Sequence, residues 1–326
     1  MQFPYKMRRL LILALMIIFL AIAANQGAQE TEKKSSKPEQ KRTSYPKVPL
    51  DIDSGIIDPT IGTAKPTPTP LVSTPPVPKP AVSAEAYLVA NLETGEIYAE
   101  HSSEKIFPIA SLSKLVTALV SIHSMPKDEK IIITQPALDA YGDAGHFTLG
   151  ETFTATEILS PLLLESSNDA AEAIALTYGY GDFIQKMNTF VTGIGMQSTA
   201  FNDASGLSSH NISNAKDLLV LAQYIYKNEK TLLELTRQTT ATVGTTTDHG
   251  MHVWKTINPF PLYPNFIGGK TGRTIEAKES MVSLFDYEYG TKSYPVAVIV
   301  LRSDFGVREI DTSYLLVKLM RKLGLE

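Results

Sequence analysis

The stretch Ile109-Ala110-Ser111-Leu112-Ser113-Lys114-Leu115-Val116-Thr117-Ala118-Leu119-Val120 decides how the rest of the chain is read. It is apolar on most faces and holds neither Gly nor Pro, so it predicts a buried helix beginning just after Pro108. A lysine inside such a segment is costly unless it is paired or used. Ser111 and Lys114 are three residues apart and share a helix face, one turn from each other. Burial lowers the pKa of an amine, and a neutral amine beside a hydroxyl is a base beside a nucleophile. The plainer reading is a helix capped by Ser111 or Ser113, with Lys114 snorkelling to solvent. An isolated Ser-x-x-Lys favours that plainer reading, so the remaining sequence has to decide.

The chain has 326 residues, enough for one or two domains with a sizeable core. It lacks Cys, which excludes disulfides, thiolate metal sites and a cysteine nucleophile. Its net charge of −4 hides an asymmetry: residues 1–84 carry +5 and the remainder −9. So acidic a folded part argues against nucleic acid as a partner.

Residues 1–24 read as a signal peptide or an N-terminal membrane anchor. Lys6, Arg8 and Arg9 precede fifteen uninterrupted apolar residues, Leu10 to Ala24. Ala21-Ile22-Ala23 is a small-x-small cleavage pattern, and fifteen residues fall short of the ~20 that usually span a bilayer. Residues 25–83 read as a Pro-rich linker without a core, with runs such as Lys65-Pro66-Thr67-Pro68-Thr69-Pro70. Extended, it reaches about 100 Å or more. A long stiff spacer is useful when its start stays in the membrane, so the expectation is a retained anchor, with secretion after cleavage as the alternative. Either way the C-terminal part lies outside the cytoplasm.

The folded region is expected over 84–326. Ala86–Asn91 and Glu96–Glu100 read as a hairpin turning at Glu93-Thr94-Gly95. A helical middle comes next. Thr154 and Glu157 form a capping box for a helix running toward Ser166, and further helices cover 170–178, 183–192 and 217–227. Phe266–Lys270, Met281–Tyr287 and Tyr294–Leu301 read as strands, the last two turned by Gly290-Thr291-Lys292. Val307–Leu323 reads as a closing helix. The pattern is α+β, an antiparallel sheet joining both ends of the chain with the helices as a second layer. Arg308 and Asp311 are expected to be a weak surface pair.

Two further pieces fit the first: Ser166-Ser167-Asn168 between two helices, and Lys270-Thr271-Gly272 on a strand. Each alone is a common cap or turn. In this order, with Leu92-Glu93-Thr94-Gly95-Glu96-Ile97-Tyr98 before them and Phe201-Asn202 through Ser205-Gly206-Leu207 between them, the set resembles the D-alanyl-D-alanine carboxypeptidases, the low-molecular-mass penicillin-binding proteins of the β-lactamase/transpeptidase-like superfamily. The resemblance covers residues ~84–326.

It implies that Ser111 forms the acyl-enzyme, that Lys114 is its base and that Ser166 relays a proton to the leaving amine. Asn168 would orient Lys114 and hold substrate. Lys270 and Thr271 would receive the terminal carboxylate, Gly272 would admit the substrate closely, and the backbone N–H groups of Ser111 and Arg273 would form the oxyanion hole. The implied substrate is the pentapeptide stem of peptidoglycan, with β-lactams as acylating inhibitors and neither cofactor nor metal. Two positions depart from the family: Ser167 stands where Gly is usual, and Ala277 is followed by Lys278 and Glu279 in place of an Ala-Gly pair. The chain also stops soon after its closing helix, so a tether would sit at the N-terminal end.

Three rivals are weaker. A β-lactamase of class A uses a further Glu, and Phe201–His210 contains none. A non-catalytic wall-binding module would have no reason to keep Ser111, Lys114, Ser166, Asn168, Lys270 and Thr271 together. A metal hydrolase would rest on His249 and His252, which lie in a Thr/Gly-rich stretch without a His-Glu-x-x-His.

Overall fold

The computed structural model describes residues 82–142, 144–289 and 292–324. The apolar leader, the linker up to residue 81, and Gly290 and Thr291 of the expected last turn lie outside them. In chain order the strands are β1 (Ala86–Asn91), β2 (Ile97–His101), β3 (Phe107–Pro108), β4 (Lys130–Ile132), β5 (Thr152–Thr154), β6 (Ile212–Ser213), β7 (Thr240–Val243), β8 (His252–Lys255), β9 (Phe266–Thr274), β10 (Lys278–Tyr289) and β11 (Lys292–Ser303). The helices are α1 (Lys114–Ser124), α2 (Gln135–Leu138), α3 (Asn168–Tyr178), α4 (Tyr180–Gly193), α5 (Ala215–Asn228), α6 (Lys230–Thr236) and α7 (Arg308–Leu323).

The main sheet runs β2-β1-β11-β10-β9, antiparallel throughout, and joins the two ends of the chain as expected. Its hairpin between β1 and β2 forms because the Asn91 side chain accepts from the N–H groups of Glu93 and Thr94, at 2.8 and 2.9 Å, while Gly95 supplies the positive φ. Alternation sorts the strand residues onto two faces. Leu88, Ala90, Val282, Leu284, Ala297, Ile299 and Leu301 face the helical middle. Val89, Met281, Phe285, Val296, Val298 and Val300 face Leu315, Leu316 and Leu319 of α7. The sheet therefore lies between two helical layers, one more than expected, and β1 and β11 are apolar in long runs because both faces are covered. Each large aliphatic side chain buried there contributes roughly 1.5–3 kcal/mol.

That second layer also changes the reading of the closing helix. Asp311 is 1% exposed and accepts from the Ser83 N–H at 2.9 Å and the Ser83 hydroxyl at 2.7 Å. Arg308 reaches the Gly272 carbonyl at 3.2 Å and lies 3.8 Å from Glu279. The two residues are thus not a surface pair, because this part of α7 packs on the sheet.

In the middle region the Thr154–Glu157 box forms, with Thr154 N–H on Glu157 Oε2 at 2.8 Å and Glu157 N–H on Thr154 Oγ1 at 3.1 Å. Beyond the box the chain takes a set of turns and one π turn, Pro161–Glu165, in place of the expected regular helix. The wide turn closes with Ser167 N–H on the Pro161 carbonyl, 3.0 Å, and the Leu164 carbonyl is taken by Ile257 N–H, 3.0 Å. Single π turns of this kind are frequent at functional sites.

Candidate active site

Three pieces of backbone converge. The first is a 3-10 turn, Ala110–Ser113, that precedes α1. The expected helix therefore starts five residues late, and Ser111 sits on the tighter turn, where residues three apart eclipse. Ala110 has φ of +49°, an unusual conformation for a residue with a Cβ. It is held by close packing: a Cβ at Gly206 would lie 2.0 Å from the Ala110 carbonyl oxygen, and one at Gly272 would lie 2.7 Å from that of Ile109. The second piece is Ser166, at the end of the π turn with φ of +63°. The third is β9, an edge strand of the main sheet.

Lys114 is fully buried and does not snorkel. Its Nζ lies 3.0 Å from Ser111 Oγ, 2.6 Å from Asn168 Oδ1 and 2.5 Å from the Ser205 carbonyl oxygen. The Asn168 amide is oriented by donating from Nδ2 to the Tyr141 carbonyl at 2.5 Å. Burial pulls the Lys114 pKa down to about 7, and the nearby carboxylates of Asp203, Glu172 and Asp169 work against it. Ser113 is the N-cap residue of α1 but its side chain makes no cap hydrogen bond; its hydroxyl donates to the Ala110 carbonyl at 2.8 Å.

Lys270 is also buried, and its Nζ donates to Ser166 Oγ at 2.8 Å and to the Thr271 carbonyl at 2.9 Å. Burial pushes its pKa well below the usual lysine value, and the charges of Lys114 and Arg308 push the same way. Thr271 is buried on the same strand. Gly272 marks the closest approach of β9 to the Ser111 turn. Arg273 comes next on the strand, and its side chain turns outward over the Phe305 ring, 5.3 Å away. The structure thus joins Ser111, Lys114 and Asn168 by hydrogen bonds, joins Ser166 to Lys270, and packs Gly272 of β9 against the Ser111 turn, with Thr271 and Arg273 on either side of it on the strand.

Sequence reading misses three contributors. Arg308 brings a second cation to the back of β9. The loop 201–211 supplies the Ser205 carbonyl; Asp203 shapes it by accepting from the N–H groups of Ser205, Gly206 and Ser208. Tyr141 and residues 144–147 are tied to the second motif, and this is where Ser167 acts. Its hydroxyl donates to the Ala144 carbonyl at 2.6 Å and accepts from Ala170 N–H at 3.1 Å, capping α3. Trp254 Nε1 and the Gly145 carbonyl, 2.9 Å apart, fasten the same loop. Replacing Ser167 with Ala should cost about 1–2 kcal/mol, loss of a cap and of a buried bond, read as a lower melting temperature.

Lys278, the other departure, pairs with Glu85 at 3.3 Å and Asp304 at 3.1 Å, apart from the Ser111 turn. His252 lies 2.9 Å from Glu151 and His249 3.8 Å from Glu157. Both histidines therefore have carboxylate partners that no sequence pattern reveals, and His249 stacks on Phe153, ring centroids 4.5 Å apart. Among the described residues no group of three or more His, Cys, Asp or Glu is arranged to hold a metal.

A family model described as D-alanyl-D-alanine carboxypeptidase, peptidase S11, matches residues 73–302. The D-alanyl-D-alanine endopeptidase of Haemophilus influenzae is 37% identical over 145 residues, 43% of this chain and 50% of the relative, so this chain spans about half of that protein. The D-alanyl-D-alanine carboxypeptidase of Streptomyces sp. strain K15 is 30% identical over 257 residues, 73% of this chain and 87% of the relative. The crystal structure of the Streptomyces K15 DD-transpeptidase superposes with a TM-score of 0.67 at 29% identity, covering 74% of this chain and 98% of that one. The expected α+β, transpeptidase-like fold therefore holds.

Proposed function

Because the chain belongs to the S11 peptidase family of D-alanyl-D-alanine carboxypeptidases, we propose that it is a serine D,D-peptidase that trims peptidoglycan stems, removing the terminal D-alanine through an acyl-enzyme on Ser111. The observation that carries this is the surroundings of the Lys114 amine. A neutral amine has two N–H bonds and one lone pair. Asn168 Oδ1 and the Ser205 carbonyl are acceptors only, so they take the two N–H bonds and leave the lone pair facing the Ser111 hydroxyl. Nearness and orientation are then set before substrate arrives.

In this reading Lys114 takes the Ser111 proton as Oγ attacks the carbonyl between the two D-alanines. The oxyanion faces the backbone N–H groups of Ser111 and Arg273. The C–N bond breaks, and the leaving amine receives a proton through Ser166. Water then attacks the ester, restoring Ser111 and releasing the shortened stem. The terminal carboxylate docks on Lys270 and Thr271, with Arg308 behind. A carboxylate beside Lys270 favours its charged form, and a charged Lys270 helps to keep Lys114 neutral. Asn168 holds both Lys114 and the substrate backbone. β-Lactams present the same carbonyl and carboxylate and would acylate the same oxygen. The endopeptidase name of the Haemophilus relative favours a second use of this cleft, hydrolysis of D,D-crosslinks. The apolar leader supports a place on the outer face of the cell membrane, with residues 1–24 retained as anchor.

The test is mass spectrometry of the full-length chain after incubation with benzylpenicillin, beside Ser111→Ala. A persistent adduct on Ser111, absent from the variant, followed by release of D-alanine from a pentapeptide, is the expected result. Rapid loss of penicillin without an adduct would move the assignment to a β-lactamase. Intact penicillin with no adduct and no D-alanine release would make the domain a binding module.

A further inference from the structure

The side of Lys114 away from Ser111 is built from carboxylates. Asp203 is fully engaged in shaping its loop. Asp169 is buried in the first turn of α3. Glu172 differs from both: it is half-buried and stands one helical turn after Asn168, so it lies on the same face of α3 as the residue that holds Lys114. Its carboxyl is hydrogen-bonded to the Ser205 side chain and to Tyr180. Ser205 in turn offers its backbone carbonyl to Lys114, 2.5 Å away. The carboxyl is therefore one residue removed from the amine, linked to it through Ser205.

We propose that Glu172 is a positioning residue for acylation: through Ser205 it brings a negative charge to the back of Lys114 and makes that amine a stronger base for the Ser111 proton. The inference rests on the proposed roles of Ser111 and Lys114. A fully buried amine without counter-charge would be neutral but a poor proton acceptor. The groups that face Glu172 are Lys114, Asp203 and Tyr180, with Asp169 on the same helix also near the amine. Burial and Asp203 hold the Glu172 carboxyl above its ordinary range, while Ser205, Lys114 and Tyr180 pull it down. Burial first, then Glu172 and Asp203, push the Tyr180 hydroxyl up to about 12, so it stays a donor to Glu172 at working pH.

Removing the Glu172 charge lowers the pKa of Lys114, so the amine is neutral at more acid pH but takes a proton less readily. In Glu172→Gln the acid limb of the pH profile for acylation by benzylpenicillin should move down by about one pH unit. The plateau rate should fall about 3- to 10-fold, as for a weaker base. Tyr180→Phe should move the limb in the same direction by less, because a carboxyl without its donor ionises less. The readout is the pseudo-first-order rate of adduct formation on the full-length chain, tracked by intact mass from pH 5 to 9. A limb that stays in place in both variants overturns the proposal, whatever happens to the plateau, because a merely structural loss lowers the rate without moving the limb. No adduct on the unaltered chain would instead overturn the underlying role of Ser111.

Discussion

Lys114→Met is expected to lower acylation of Ser111 by about 10^4-fold, the upper range for loss of a general base. The substitution keeps the length and apolar bulk of the side chain and removes the one group whose lone pair faces Ser111. In the unaltered chain the rate should rise as pH passes about 7, where the buried amine gives up its proton; in the variant this rise should vanish. Stability supplies an independent check. The folded-state pKa of Lys114 is depressed from 10.5 to about 7, so between those values the unfolded chain binds the extra proton. Folding therefore becomes more favourable as pH rises through that window. Lys114→Met removes this contribution, and the rise of melting temperature with pH should be shallower. A variant that acylates within tenfold of the unaltered chain would show that Lys114 is not the base.

Gly206→Ala should be nearly as damaging, although position 206 carries no chemical group. At φ of +85° a Cβ is strained, and here it would lie 2.0 Å from the Ala110 carbonyl oxygen and 2.4 Å from the carbonyl carbon. Both are backbone atoms of the turn that presents Ser111, so neither can rotate aside. Either the loop retreats and draws the Ser205 carbonyl from Lys114, or the Ser111 turn shifts. A displacement of about 1 Å at such a point costs roughly 10^2-fold in rate, and the strain costs about 2–4 kcal/mol. Thermal unfolding and penicillin acylation, measured on the same preparation, should both fall. Wild-type values of both would mean that the two loops are not in contact.

Much of this site is legible in the sequence for a physical reason. Strands that run apolar on both faces, and polar groups set in apolar runs, leave local patterns. Lys114 stands out because burying it makes sense only in company; Ser166, Asn168 and Lys270 stand out only through the ordered motifs that carry the resemblance. The loop 201–211 leaves no such pattern. Phe201-Asn202 through Ser205-Gly206-Leu207 enters the resemblance, but its role depends on where the Ser205 carbonyl points, which is set by the bonds of Asp203. Arg308 and Asp311 escape sequence reading because helical spacing says which residues are neighbours but not which face is covered. The π turn reads as a helix because its apolar content is the same. Ser167 reads as a deviation near the substrate, yet its hydroxyl serves the fold, bridging α3 to the loop at Ala144.

The pairing of β1 with β11 also sets the order in which the molecule can be made. Ala86 lies opposite Leu301 and Asn91 opposite Val296, partners more than 200 residues apart. The hairpin of β1 and β2 forms locally, but its second edge has no neighbour until the last strand emerges. At 5–20 residues per second the ribosome needs roughly 10–40 s to supply it, and loops of that length close late. A chain halted before residue 292 cannot complete the sheet. Until β11 has been made, the main sheet lacks the strand that joins its first hairpin to β10.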